Sequence, residues 1–293
     1  MKITKPLAPQ PIRNLRAVKP VKLLSPRAIK DFQKLVYAHY RAHGRRHLPW
    51  RKARNPYRIL VSEFMLQQTQ VPRVIEKYKS FLRRFPEFES LARAPLREVL
   101  GAWSGLGYNR RALHLRETAR IVVSEHNGKL PADVDRLRSL PGVGRATASA
   151  VAAFAFGRAH PFIETNIRAV FIHHFFGRRK RVSDDEILPF VEQTLDRCDP
   201  RTWFYALMDC GAALKKMHPN PSRKSAHHTR QGKFEGSDRQ ARGVIVRALV
   251  ERPLSEGELA EATGLSPASL RGLVQQLEKD GMIVTRRGKL CIA

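Results

Sequence analysis

Leu140-Pro141-Gly142-Val143-Gly144-Arg145 decides how this chain is read. The hexapeptide joins two helical patterns, residues 132–140 and 145–156, through a turn with two glycines, the residue type that lets backbone amides come close to a ligand. The second helix starts at Arg145 and points its positive dipole end the same way, so Gly142, Val143, Gly144 and Arg145 form a grip for an anion. Ala146, Ala148, Ser149 and Ala150 are small enough for that helix to pack closely. A turn of this kind can be purely structural, and the charge of the whole chain decides against that reading. Across 293 residues, 54 Lys and Arg stand against 26 Asp and Glu, a net charge of +28. Solubility requires far less, so a polyanion is the expected partner, nucleic acid ahead of an anionic membrane surface.

Composition also excludes. The 42% of hydrophobic residues is spread over short amphipathic stretches, none approaching the roughly 20 apolar residues that span a bilayer. Cys198, Cys210 and Cys291 have neither metal-ligand spacing nor the density of a disulfide scaffold, which fits a reducing, intracellular setting. Residues 1–25 carry Lys2, Lys5, Arg13, Arg16, Lys19 and Lys22 without an acid and read as a flexible basic arm rather than a signal sequence.

Outward from the turn the pattern stays helical. Ser25-Pro26 opens an amphipathic helix over 25–45 with Ile29, Phe32, Leu35 and Val36 on one stripe. Pro56 opens another through Gln70, Pro72 one through Phe85, and Pro95 one ending near Gly101. Helical patterns at 110–126, 166–175 and 184–195 complete a mainly α body over 26–218. Residues 219–237 read as a basic loop or linker containing Arg223, Lys224, His227, His228 and Arg230. In 238–293, helices over 238–250, 256–263 and 266–280 precede a hairpin that turns at Arg286-Arg287-Gly288-Lys289. Three helices and a hairpin are the winged-helix arrangement.

Glu63 stands beside Leu60, Phe64 and Met65 on the helix that Pro56 opens. It reads either as a surface glutamate or as a carboxyl edging an apolar cavity, where desolvation raises its pKa and fits it for general acid work.

Leu140-Pro141-Gly142-Val143-Gly144 resembles the helix-hairpin-helix of base-excision DNA glycosylases related to endonuclease III. Upstream, Leu48-Pro49-Trp50-Arg51, Asn55-Pro56-Tyr57, Glu63-Phe64-Met65-Leu66-Gln67-Gln68-Thr69-Gln70-Val71 and Gly105-Leu106-Gly107-Tyr108 closely resemble the A/G-specific adenine DNA glycosylases, in that family's order. The likeness runs from about Trp50 to Ala213. It implies the helix-hairpin-helix glycosylase fold and a Glu63 that protonates a flipped purine. It implies an ionised carboxylate near the sugar, where breaking an N-glycosidic bond develops positive charge. Glu164 is the candidate, in Phe162-Ile163-Glu164-Thr165-Asn166-Ile167-Arg168, which is similar to the family's Asp-Gly-Asn-Val-Lys-Arg with Glu for Asp; its plain structural reading is a helix N-cap. The resemblance further places Arg51, Gln67 and Asp209 at the base pocket, Gln68 and Tyr108 at the wedge that fills the vacated duplex, and Arg168 with the phosphate contacts. Tyr108 also reads as a core aromatic, and Trp50 as packing.

Three departures matter. Ala146 stands where bifunctional relatives place a Schiff-base lysine, which implies hydrolysis without strand nicking. Lys215, Pro219, Ser222 and Ser225 stand where most of the family has a four-cysteine iron-sulfur loop, so no cofactor is expected. A zinc site at His218, His227 and His228 is disfavoured for want of nearby Cys or acids. The family's lesion-reading C-terminal domain is of mixed α/β character, whereas the winged helix here would present a recognition helix from Ser266 and Arg286, Arg287 and Lys289 on its wing, to DNA or to protein. The expectation is a monomeric, cytoplasmic, nucleoid-associated enzyme without membrane contact. Its substrate would be double-stranded DNA with a mispair or lesion, excised for adenine opposite guanine or 8-oxoguanine. Excision of another base (hypoxanthine, a damaged purine or a mismatched pyrimidine) and a non-catalytic DNA-binding factor stay open beside it.

Overall fold

Prolines and small polar caps set where the helices begin. Ser25 Oγ accepts from the Ala28 amide at 3.2 Å and Asn55 Oδ1 from the Arg58 amide at 3.2 Å, each just ahead of a proline at the first helical position. The computed structural model describes residues 23–229 and 232–293. The basic arm up to Lys22, and Arg230 of the loop, lie outside the described residues. The body runs α1 (Pro26–His43), α2 (Pro49–Lys52), α3 (Pro56–Leu66), α4 (Val71–Arg84), α5 (Phe88–Arg93), α6 (Leu96–Trp103), α7 (Arg110–Glu125), α8 (Val134–Arg138), α9 (Arg145–Phe156), α10 (Thr165–Phe175), α11 (Asp184–Thr194) and α12 (Pro200–Met217).

Two differences from the sequence reading have physical causes. The long helix α12, which carries Asp209, was not expected. Trp203, Phe204, Tyr205, Ala206 and Leu207 are buried in succession, and a helix buried all round loses the 3.6-residue stripe by which helices are recognised. It lies at the centre of the body, with Trp203 edge-on to Phe32 of α1 and Gly211 against the backbone of Asn166 in α10. Helix α3 stops at Leu66 rather than Gln70, because the carbonyls of Phe64, Met65 and Gln67 accept from the buried guanidinium of Arg111 instead of from amides further along.

The C-terminal module comprises α13 (Asp238–Glu251), α14 (Glu256–Thr263), α15 (Pro267–Lys279), β1 (Ile283–Arg286) and β2 (Lys289–Ile292). The strands pair antiparallel with Ile283 opposite Ile292 and Arg286 opposite Lys289. Arg287 (φ 49°) and Gly288 (φ 72°) make the two-residue left-handed turn that matches strand twist. Leu254 adds a bridge to Leu290, with N–H···O distances of 3.0 and 2.7 Å. Ile245, Leu249, Leu270, Leu273, Leu277 and Leu290 fill this core. Polar ties hold the module to the body. Arg97 of α6 donates to the carbonyls of Val250 and Glu251 at the end of α13, and Asp280 receives Arg242 of α13 and, at 3.6 Å, Arg110 of α7. Among the described residues no helix is long and apolar enough to cross a membrane.

Candidate active site

Glu63 lies near the C-terminal end of α3, between buried Ser62 and Phe64. Burial raises its carboxyl to about 7; the Glu164 carboxylate pushes the same way and Arg51 opposes both. Glu63 is thus partly buried and partly desolvated rather than fully exposed on the surface.

Arg51 and Asp209 come together as one buried ion pair. Arg51 Nη2 donates to Asp209 Oδ1 at 2.9 Å, and Arg45 adds Nε to Oδ1 at 2.7 Å and its amide to Oδ2 at 2.9 Å. The Arg51 guanidinium lies 3.8 Å from the ring centre of Tyr205, itself stacked on Phe154 at 4.1 Å. Burial raises the Tyr205 hydroxyl above its ordinary value, so it stays neutral. Trp50 is buried and edge-on to Tyr78, in its packing role.

Glu164 is the N-cap of α10. Its Oε1 accepts from the Asn166 and Ile167 amides at 2.8 Å each, and Oε2 from Asn166 Nδ2 at 3.0 Å. The cap and a charge near the site are therefore one and the same carboxylate. Arg168 is not a free cation: its Nε and Nη2 each donate to Asp184 at 2.7 Å. A phosphate would have to share this bidentate pair.

Gln68 (φ 53°) and Tyr108 (φ 50°) both sit in the left-handed region, which costs side-chain-bearing residues energy and gathers at functional sites. Tyr108 keeps 37% of its surface exposed, against the core-aromatic reading. What holds these two turns is a residue that sequence reasoning missed. Arg111 donates through Nη1 to the Phe64, Met65 and Gln67 carbonyls and through Nη2 to Thr69 Oγ1 and the Leu106 and Gly107 carbonyls. One buried guanidinium thus fixes the Gln68 and Tyr108 turns relative to each other. Gln67 turns toward the hairpin helix, its Nε2 donating to Thr147 Oγ1 at 3.3 Å. Nothing in the sequence pattern marks Arg111, because a hub of this kind is defined by long-range contacts.

In the hairpin, Gly142 (φ 74°) is obligatory: a Cβ there would meet His114 at 2.8 Å and Phe64 at 3.0 Å. Val143 departs from its expected role. Its amide donates to the Leu140 carbonyl at 3.2 Å and its side chain is buried, so at the helix start the Gly144 and Arg145 amides are the ones left for an anion. They open α9 ahead of its first internal bond, Ala148 N–H to Gly144 O at 2.9 Å. Arg145 is exposed, and a Cβ at Gly144 would meet open space. Gly144→Ala is accordingly expected to keep the melting temperature within about 2 °C while weakening duplex affinity about tenfold, measured by thermal unfolding and fluorescence anisotropy. Unchanged affinity would remove the anion grip from Gly144.

The positions expected of an iron-sulfur loop hold an ammonium, a proline and two hydroxyls, and do not fit a cluster. Hydrogen bonds dock the segment instead. Ser222 Oγ donates to the Thr165 carbonyl at 2.8 Å, the Ala226 amide to Val182 O at 2.7 Å and the Val182 amide to Lys224 O at 2.9 Å. Among the described residues no three His, Cys, Asp or Glu are grouped to hold a metal ion.

Residues 61–192 match the family model described as HhH-GPD superfamily base excision DNA repair protein. The adenine DNA glycosylase of Mycolicibacterium smegmatis is 35% identical over 272 residues, covering 86% of this chain and 92% of that protein. The human adenine DNA glycosylase is 36% identical over 187 residues, 58% of this chain and 33% of that protein. Among solved structures, a thermostable thymine-DNA glycosylase aligns with a TM-score of 0.56 and 29% identity, over 63% of this chain and 86% of that one. A non-covalent endonuclease III–DNA complex aligns with a TM-score of 0.54 at 20% identity, over 64% and 85%, a likeness of fold.

Proposed function

The chain belongs to the HhH-GPD superfamily of base excision DNA repair proteins, among its adenine DNA glycosylases, and from that membership we propose that it flips an adenine opposite guanine or 8-oxoguanine out of the duplex and hydrolyses its N-glycosidic bond without cutting the strand. The observation that carries this reading is a partly buried Glu63 whose carboxyl is raised to about 7 under the influence of a second, hydrogen-bonded carboxylate.

Raised to about 7, Glu63 keeps a protonated fraction at neutral pH and gives its proton to a ring nitrogen of the purine, so that the base leaves as a neutral molecule with the electron pair of the broken bond. The sugar carbon then carries positive charge. Glu164, held by two amides and Asn166, presents a fixed negative charge to it, which costs no reorganisation in the transition state. Water adds at the sugar carbon and gives up a proton, which restores the Glu63 acid. The Ala146 methyl offers no amine for a Schiff base, so the reaction stops at an abasic site. Arg51, Asp209 and Tyr205 support the flipped base, Gln68 and Tyr108 fill the gap it leaves, and the Gly144 and Arg145 amides hold the backbone phosphate. The enzyme works as a monomer and without an iron-sulfur cluster, which metal analysis of purified protein tests; stoichiometric iron would count against it.

A panel of duplexes, each read with and without alkali, tests the function. Adenine opposite guanine or 8-oxoguanine should give breaks only after alkali. Breaks without alkali would overturn simple hydrolysis, and tight binding with no product from any duplex would favour the non-catalytic factor. The likeness to a thymine-DNA glycosylase structure favours one second reading, excision of mismatched thymine; a guanine–thymine duplex in the panel decides it.

A further inference from the structure

A cavity of about 800 Å3 opens beside the two strained turns, within the size range of sites that hold a small-molecule group. Gln68 and Tyr108 line it from the body, His227, His228 and Lys233 from the segment that stands where a cluster loop was expected, and Arg239 from the start of α13. Thr165, the neighbour of Glu164 in sequence, also lines it. Arg239 is the joint of this arrangement. Its Nη1 donates to the Tyr108 hydroxyl at 2.8 Å and its Nη2 to the Gly232 carbonyl at 2.8 Å, so one side chain ties the start of α13 and the preceding loop to the wedge tyrosine. The wall is anchored, since Arg97 and Arg110 fix the ends of α13 and α15 on the body.

When a nucleotide leaves the stack, the residues that fill its place also meet the partner base left behind. A cavity lined by those residues offers such a base a place. The lining is rich in donors: two guanidinium groups, an ammonium, two imidazoles and two amides, with Asp238 as its one acid. Such a surface suits a base edge dominated by acceptors, as guanine presents through O6 and N7 and 8-oxoguanine through its two carbonyls. Resting on the adenine-excision reading of Glu63, we infer that His227, His228 and Arg239 form the reader of the base opposite the excised one, with Arg239 determining specificity by positioning Tyr108 and by offering donors to the orphaned purine. The linker and the start of α13 are therefore one recognition element.

Single-turnover excision of adenine opposite guanine, 8-oxoguanine, cytosine and an abasic analogue tests this. Wild-type protein should cut on the order of tenfold or more faster opposite either guanine form than opposite cytosine or the abasic analogue. Arg239→Ala should bring that ratio to within about twofold of unity, Arg239→Lys should restore part of it, and the His227→Ala/His228→Ala double variant should lower it independently. Arg247→Ala, which removes the same charge from an exposed position on α13 outside the cavity, should keep it. A wild-type ratio in both Arg239→Ala and the double variant would overturn the inference and leave adenine excision standing. No excision of adenine by wild-type protein from any of the four duplexes would overturn both.

Discussion

Glu63→Gln is expected to lower single-turnover excision of adenine roughly 100- to 10,000-fold, the span ascribed to a positioned general acid, while the affinity for the mispaired duplex changes less than about threefold. The amide keeps the shape of the side chain and loses the proton. Because Glu63 sits at the end of α3 among buried apolar neighbours, the substitution leaves the Arg111 hub and the two wedge turns in place, so a loss of rate reads chemistry rather than fold. Full activity in this variant would remove Glu63 from the reaction.

The pH dependence follows from the same burial. The protonated form is the active one, so the wild-type rate should be level in acid and fall as pH rises through about 7. Glu164→Gln, by removing the like charge that reinforces the shift, should move that fall to lower pH. Stability carries the matching sign. A carboxyl whose folded pKa exceeds its unfolded value contributes stability that is complete below the unfolded value of 4.5 and is lost as pH rises through about 7. Above that window the charge on this partly buried carboxyl costs at most about 3 kcal/mol. Relative to wild type, Glu63→Gln should therefore melt higher at pH 8 than at pH 4. Equal differences at the two pH values would contradict a desolvated acid.

Much of this site was legible because its parts are local. The hairpin is a contiguous turn whose glycines announce positive φ and close approach, and Glu63, Gln67 and Gln68 lie within one helix end. What escaped was either uniformly buried or assembled across distance. Helix α12 hid its periodicity by burying five residues in succession. Arg111 acquires meaning only when the ends of α3 and the 105–108 turn meet. Arg168 looked like a free cation until the fold brought Asp184 to it, and the Val143 amide looked free until the turn closed on Leu140. Residues 219–237 read as a linker because polar composition reports exposure and says nothing of what the exposed chain lies against.

Gly211→Ala should be among the most damaging single methyl groups that can be added to this protein. A Cβ at Gly211 would stand 2.1 Å from the carbonyl oxygen of Asn166, 2.6 Å from its carbon and 2.9 Å from its Cα, backbone atoms that cannot rotate away. Helices α10 and α12 would have to separate. Overpacking a tight core costs typically about 1–3 kcal/mol and sometimes more, and a backbone-to-backbone clash belongs at the upper end, about 3 kcal/mol or beyond. For a chain of this size that lowers the melting temperature by roughly 6–12 °C. The second consequence falls on catalysis. Asn166 supplies both an amide and its Nδ2 to Glu164, so the force on its carbonyl is passed directly to the carboxylate that faces Glu63. A displacement of about 1 Å at a reacting group can cost about 100-fold in rate. Excision at 20 °C, below the lowered melting point, should therefore fall far more than the folded fraction does, whereas Gly144→Ala, with open space around its Cβ, should lose affinity and keep its single-turnover rate at saturating enzyme. A Gly211→Ala protein with wild-type melting and wild-type excision would mean that the close approach of α10 and α12 is not what sets Glu164 in place.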